Sequence, residues 1–130
     1  MPDSIGYLID TDILIDLLRG KQGARRLLTL RLAPWAVSQV TAMELIVGAR
    51  DKREMALIDQ FLANCTIIPL RASTGAAAYE LLKNYAKSNG LQVFDSLIAA
   101  TAIGEGLILA SRNRKHFAMI EGLTLEVPEY

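Results

Sequence analysis

Tyr7-Leu8-Ile9-Asp10-Thr11-Asp12-Ile13-Leu14-Ile15-Asp16-Leu17-Leu18 changes its periodicity in the middle. Tyr7 to Ile9 is a short β-prone apolar run, and from Asp12 to Arg19 the apolar residues recur at helical spacing. Gly20 then stops the helix. A strand that passes straight into a helix opens a β–α–β unit, and the alternation repeats outward along the chain. Further strands are expected at Trp35 to Ser38, Thr66 to Leu70, Leu107 to Ala110 and Leu123 to Val127. Besides Asp12 to Arg19, helices are expected at Ala24 to Leu32, Thr41 to Ala49, Glu54 to Leu62, Ser73 to Ser88 and Asp95 to Gly104. No linker or low-complexity segment interrupts them. The fold class is therefore α/β, an α/β/α sandwich with helices on both faces of a mainly parallel central sheet of about five strands.

With 130 residues, the chain fits the ~100–200 residues of one domain, so residues 1–130 are expected to fold as a single unit. Fourteen Lys and Arg balance fourteen Asp and Glu, and the two halves of the chain are each balanced as well. A pI near 6.6 excludes the general basic coat of a duplex-binding domain. Any polyanion must be met by a local patch. Cys65 is the only cysteine, which excludes a disulfide framework, a cysteine zinc cluster and a CxxC redox pair. Asp3 stands where a secretory leader would be basic, and Asp95 and Glu105 break the longest apolar run. No membrane association and a cytoplasmic location are expected.

Parallel sheets take their ligands outside the carboxyl ends of the strands. Asp10 ends the first expected strand, Thr41 and Glu44 follow the second, and Ser111, Arg112 and Asn113 follow the fourth. Asp95 follows a long helix that should finish at the opposite edge. The five residues from Gly90 to Phe94, extended at ~3.3 Å each, could climb back by roughly 16 Å.

Each acid also has a local role open to it. Asp10 can form a turn with Asp12 as the next helix cap, Thr41-Ala-Met-Glu44 matches a capping box, and Asp95 precedes an apolar helix as an N-cap would. Convergence on one edge separates these roles from chemistry. Two carboxylates ~5 Å apart at an effective dielectric of ~20 repel by roughly 3 kcal/mol, so a cluster of three should protonate or bind a cation. With one histidine and one cysteine in the chain, a hard ion such as Mg2+ or Mn2+ is the natural partner. Such an ion suits attack on a phosphodiester. Arg112, Arg114 and Lys115, interleaved with Asn113 and His116, form the densest basic patch and could hold a nucleic-acid backbone.

At these residues the sequence resembles the PIN-domain ribonucleases, specifically the VapC-type toxins of toxin–antitoxin pairs. The likeness is carried by Leu8 to Asp16, by Ser38-Gln-Val-Thr41-Ala-Met-Glu44-Leu45 with Gly48, by Asp95-Ser-Leu-Ile-Ala-Ala-Thr-Ala, and by Ser111-Arg-Asn113 leading to His116-Phe117. It implies a PIN-like domain and an endoribonuclease dependent on Mg2+ or Mn2+. Asp10 and Asp95 would be its direct ligands, and Glu44 would bind metal or orient water. Thr11 and Ser111 would support the site, while Arg112, Asn113 and His116 would contact substrate or water. The resemblance further implies an RNA substrate, a VapB-like antitoxin and homodimerisation. Asp12 stands where many relatives have Asn, and His116 follows Lys115 where many have a fourth acid, which leaves one metal or two open.

Asp10-Thr11-Asp12 after an apolar strand is also similar to the DxD signature of haloacid-dehalogenase-type phosphatases. A PIN-like fold kept only as an inactive binding module is a further alternative.

Overall fold

The computed structural model describes residues 4–130, so Asp3 lies outside the described residues. Strand β1 (Tyr7–Ile9) passes into α1 (Thr11–Leu18). Helix α2 (Gln22–Arg26) runs on through a π-helical turn, Leu27–Arg31, to β2 (Trp35–Ser38). Helices α3 (Gln39–Val47) and α4 (Lys52–Leu62) lead to β3 (Thr66–Ile68), and α5 (Ala72–Asn89) and α6 (Val93–Glu105) lead to β4 (Ile108–Ala110). A short α7 (Arg114–Phe117) precedes β5 (Leu125–Glu126). The strands form one sheet in the order β3-β2-β1-β4-β5, and every pairing is parallel.

Alternation along each strand builds two cores. Leu8, Ala36 and Leu109 face Ile98, Ala99 and Phe117 on one side, while Ile9, Val37 and Ala110 face Ile13, Leu14 and Leu28 on the other. Both faces are dry because helices cover both, which is why β1 and β4 read as unbroken apolar runs.

The differences from expectation have local causes. The third and fifth strands stop short of Leu70 and Val127, since β3 pairs only with β2 and β5 only with β4. Helix α3 begins at Gln39, capped by the Ser38 hydroxyl, which accepts from Val40 N. Thr41 and Glu44 are therefore inside the helix, and the capping box is not formed. Gln92 occupies the cap position of α6, so Asp95 lies within its first turn.

The direction of α5 is the largest correction. Residues 90–92 join α5 directly to α6, and at the other end of the pair Arg71 Nε meets Glu105 Oε2 at 3.4 Å. The two helices are an antiparallel hairpin. Because α6 descends to the start of β4, α5 finishes at the edge where α6 begins. No extended climb from Gly90 to Phe94 exists, and Val93 and Phe94 are already helical. Asp95 reaches the carboxyl edge because the hairpin delivers it there.

Candidate active site

The connections from β1 through β2 to β3 run one way across the sheet, and β4 then returns to the other side of β1. The crevice beyond β1 and β4 is the topological switch point, where parallel sheets hold ligands. Asp10 and Ser111 sit there. Asp10 N donates to Ala110 O at 2.9 Å, which locks the two strand ends together. The Asp10 side chain is only 4% exposed. Its Oδ1 accepts from Thr11 N at 2.8 Å, and its Oδ2 accepts from the fully buried Ser111 hydroxyl at 2.7 Å. Ser111 Oγ in turn accepts from Asn113 N at 3.0 Å.

Thr11 carries the next link. Its hydroxyl donates to Glu44 Oε1 at 2.7 Å and lies 3.1 Å from the buried Thr41 hydroxyl. Glu44 is thus brought to the site through Thr11, from the second turn of α3. Asp12 accepts from Ile13 N at 2.8 Å and from Arg112 N at 2.9 Å. It bridges α1 to the loop after β4. Asp95 stands across the crevice, its Oδ2 3.0 Å from His116 Nδ1 on α7.

Electrostatics ties these pieces together. Burial, followed by the neighbouring Asp12 charge, pushes the Asp10 carboxyl up to about 7, against the opposing hydrogen bonds from Ser111 and Thr11; the charge of Asp95 adds to the rise. Burial also raises Asp12, where the amide hydrogen bonds from Arg112 and Ile13 oppose it. The Asp95 carboxyl is raised by burial too, with His116 pulling the other way. Among the described residues, no Lys or Arg side chain forms an ion pair with Asp10, Asp12, Glu44 or Asp95. His116 is the one basic side chain that pairs with any of these four acids among the described residues.

The donors at the crevice are carboxylate oxygens, which suit a hard cation. Among the described residues no three His, Cys, Asp or Glu side chains are arranged to enclose a metal. The expected tripod of Asp10, Glu44 and Asp95 does not stand preassembled, because Glu44 is turned to Thr11 and Asp95 to His116. Mg2+ does not need such a cage, since it retains several waters and takes one or two carboxylates plus phosphate oxygens. Asp10 and Asp95 are carboxylates of that kind, close enough for the charge of one to act on the other.

Of the basic residues, Arg114 and Lys115 are exposed on α7. Arg112 turns toward Asp16 and the ring of Tyr130. Asp12 and Asp16 were not among the expected site residues, although like charges at i and i+4 on one helix are unfavourable unless something external compensates. That signal was readable. The position of Thr41 after the second strand places it at this edge, but its contact with Thr11 was not expected; for Tyr130 no sequence signal existed. Glu44 also lines a cavity of about 540 Å³, together with apolar Ile15, Leu18, Leu45, Leu57 and Ile58 and charged Arg19, Arg50 and Glu54.

A family model described as PIN domain matches residues 7–123. The chain belongs to the PIN-domain family. Ribonuclease VapC10 of Mycobacterium tuberculosis is 37% identical over 121 residues, with 89% of each chain covered. The tRNA(fMet)-specific endonuclease VapC of Shigella flexneri is 28% identical over 126 residues, which span 92% of this chain and 96% of the relative. A solved toxin–antitoxin complex from Klebsiella pneumoniae superposes with a TM-score of 0.80 at 31% identity, covering 95% of this chain and 98% of that one. Within the family the chain is of the VapC ribonuclease type, and the aspartyl-phosphate phosphatase alternative is set aside. Among the described residues no helix is long and apolar enough to cross a membrane.

Proposed function

We propose that the chain is an endoribonuclease dependent on Mg2+ or Mn2+, the toxin of a type II pair, acting in the cytoplasm under the control of a VapB-like antitoxin. The observation that carries this reading is the buried Asp10 carboxyl at the switch point, raised to about 7 and without a basic partner among the described residues. Asp10 and Asp95 would hold the ion, and Glu44 would ligate it or orient the attacking water. When bound, the ion supplies a water of lowered pKa and neutralises charge on the phosphodiester.

The chain's own residues do the rest. Ser111 and the Thr11 amide fix both oxygens of Asp10, and the Thr11 hydroxyl ties Glu44 to the residue that follows Asp10. His116 restrains Asp95. Exposed Arg114 and Lys115, with Arg112 and Asn113, offer donors to RNA phosphates beside the acids. The cavity that Glu44 helps to line, with exposed Leu18 and Leu57 beside the charged Arg19, Arg50 and Glu54, suits an amphipathic antitoxin segment that would cover the site, as the relationship to the Klebsiella complex suggests. A second copy of the chain is a further expected partner.

The test is cleavage of RNA by the purified chain with and without Mg2+, set beside the Asp95→Asn variant. Metal-dependent cleavage by the wild type and none by the variant is expected. Full cleavage in excess chelator, or by Asp95→Asn, overturns the metal site. Tight antitoxin binding with no metal-dependent loss of RNA would favour the inactive binding module.

A further inference from the structure

Tyr130 closes a side-chain cluster beside the acids. Its phenol donates to Asp16 Oδ2 at 2.6 Å, and the Arg112 guanidinium carbon lies 4.3 Å from the centroid of its ring, within cation–π range. Asp16 also faces Arg112 Nη1 at 3.7 Å and Lys21 Nζ at 3.3 Å. The Tyr130 ring rests on α2 where Gly23 stands, and a Cβ at that position would come within 2.5 Å of Tyr130 Cβ. Gly23 is the residue that admits the ring.

The same Arg112 donates its main-chain N–H to Asp12 at 2.9 Å and directly follows Ser111, which holds Asp10. Arg112 is therefore tied to the acids by its backbone and to Tyr130 by its side chain. A surface arginine ordinarily wanders among many rotamers, and ordering it on contact with a ligand costs entropy. Here the ring face and Asp16 have ordered it already. Its side chain is still 40% exposed, and a guanidinium has five N–H donors in a planar fork, enough to keep its internal partners and reach a phosphate oxygen.

We propose that Tyr130 is a positioning residue for RNA binding, one that holds Arg112 preordered to take a backbone phosphate beside the acidic crevice. This rests on the RNA-cleaving function proposed above.

The experiment measures RNA cleavage kinetics, and the affinity for a labelled single-stranded RNA oligonucleotide by fluorescence anisotropy. Tyr130→Leu and Tyr130→Phe are each placed in the Arg112 and the Arg112→Ala backgrounds. Tyr130→Leu should raise KM and the oligonucleotide Kd about fivefold while kcat stays within about twofold. Tyr130→Phe keeps the ring and should recover most of the affinity. In the Arg112→Ala background, Tyr130→Leu should change nothing further. Gly23→Ala, which displaces the ring, should reproduce Tyr130→Leu, and it carries the comparison if that variant does not fold. An undiminished effect in the Arg112→Ala background, a loss confined to kcat, or an unaltered KM and Kd overturns the proposal. A wild type that binds RNA without cleaving it defeats the proposed activity alone, because the Kd cycle still decides the role of Tyr130. A wild type that binds no RNA defeats both.

Discussion

Asp95 Oδ2 lies 3.0 Å from His116 Nδ1, which joins the first turn of α6 to α7 across the mouth of the crevice. The imidazole is the basic group that meets Asp95 in this crevice. His116 lowers the Asp95 carboxyl against the larger effect of burial, which raises it. In His116→Ala the opposing influence is gone, and Asp95 should protonate at higher pH. If cleavage needs ionised Asp95, the acidic limb of kcat/KM against pH should move toward neutrality in the variant. A limb that stays in place, or moves to lower pH, contradicts the pairing.

Asp10 makes stability depend on pH. Its folded value of about 7 lies above the 3.8 of an unperturbed carboxyl because burial, then Asp12, disfavour its charge. Between the two values the unfolded chain loses the proton and the folded chain keeps it. The stabilisation is therefore complete below the unfolded value and is lost as pH rises through about 7, a total on the order of 4 kcal/mol. Urea midpoints of the metal-free protein should fall from pH 5 to pH 8, and Asp10→Asn should remove much of that slope. Saturating Mg2+ should raise the wild-type midpoint most at pH 8, where the ion no longer competes with a proton. Parallel slopes for wild type and variant would count against this account.

Ser111 is a structural dependency of Asp10. Its buried hydroxyl donates to Asp10 and accepts from Asn113 N. Ser111→Ala strips a buried carboxyl of one donor and leaves an amide without its acceptor. A loss of about 2 kcal/mol in denaturant unfolding is expected, together with weaker Mg2+ stabilisation. A change under about 0.5 kcal/mol would mean that water replaces the hydroxyl.

Thr11→Val separates the two jobs of Thr11. The backbone N–H still reaches Asp10, but the hydroxyl on Glu44 is gone. Stability should change by no more than about 1 kcal/mol, whereas kcat should fall at least about tenfold, and Thr11→Ser should restore it. Unchanged kcat in Thr11→Val would remove Glu44 from the working arrangement.

Much of the fold was legible. Leu8-Ile9, Ala36-Val37 and Leu109-Ala110 are apolar on both faces, and an uninterrupted apolar strand between helical segments demands a covered parallel sheet. The strand-end positions of Asp10 and Ser111 followed from the same pattern. Helix starts were less legible: Thr41 and Asp95 are good caps by residue type, yet Ser38 and Gln92 occupy those places. Several cap signals compete within three residues, and packing of α3 and α6 on the sheet selects among them.

The sequence by itself determined which residues could carry negative charge at the carboxyl edge, because strand periodicity assigns an edge to every strand end. Only the tertiary structure decided how that charge is held. It turned α5 upward into a hairpin so that Asp95 meets His116, hung Glu44 on Thr11, and brought Tyr130 back onto Asp16 and Arg112. These contacts join residues up to 114 positions apart. Local periodicity records which way a side chain points from its own backbone, and partners that distant in the chain leave no trace in it.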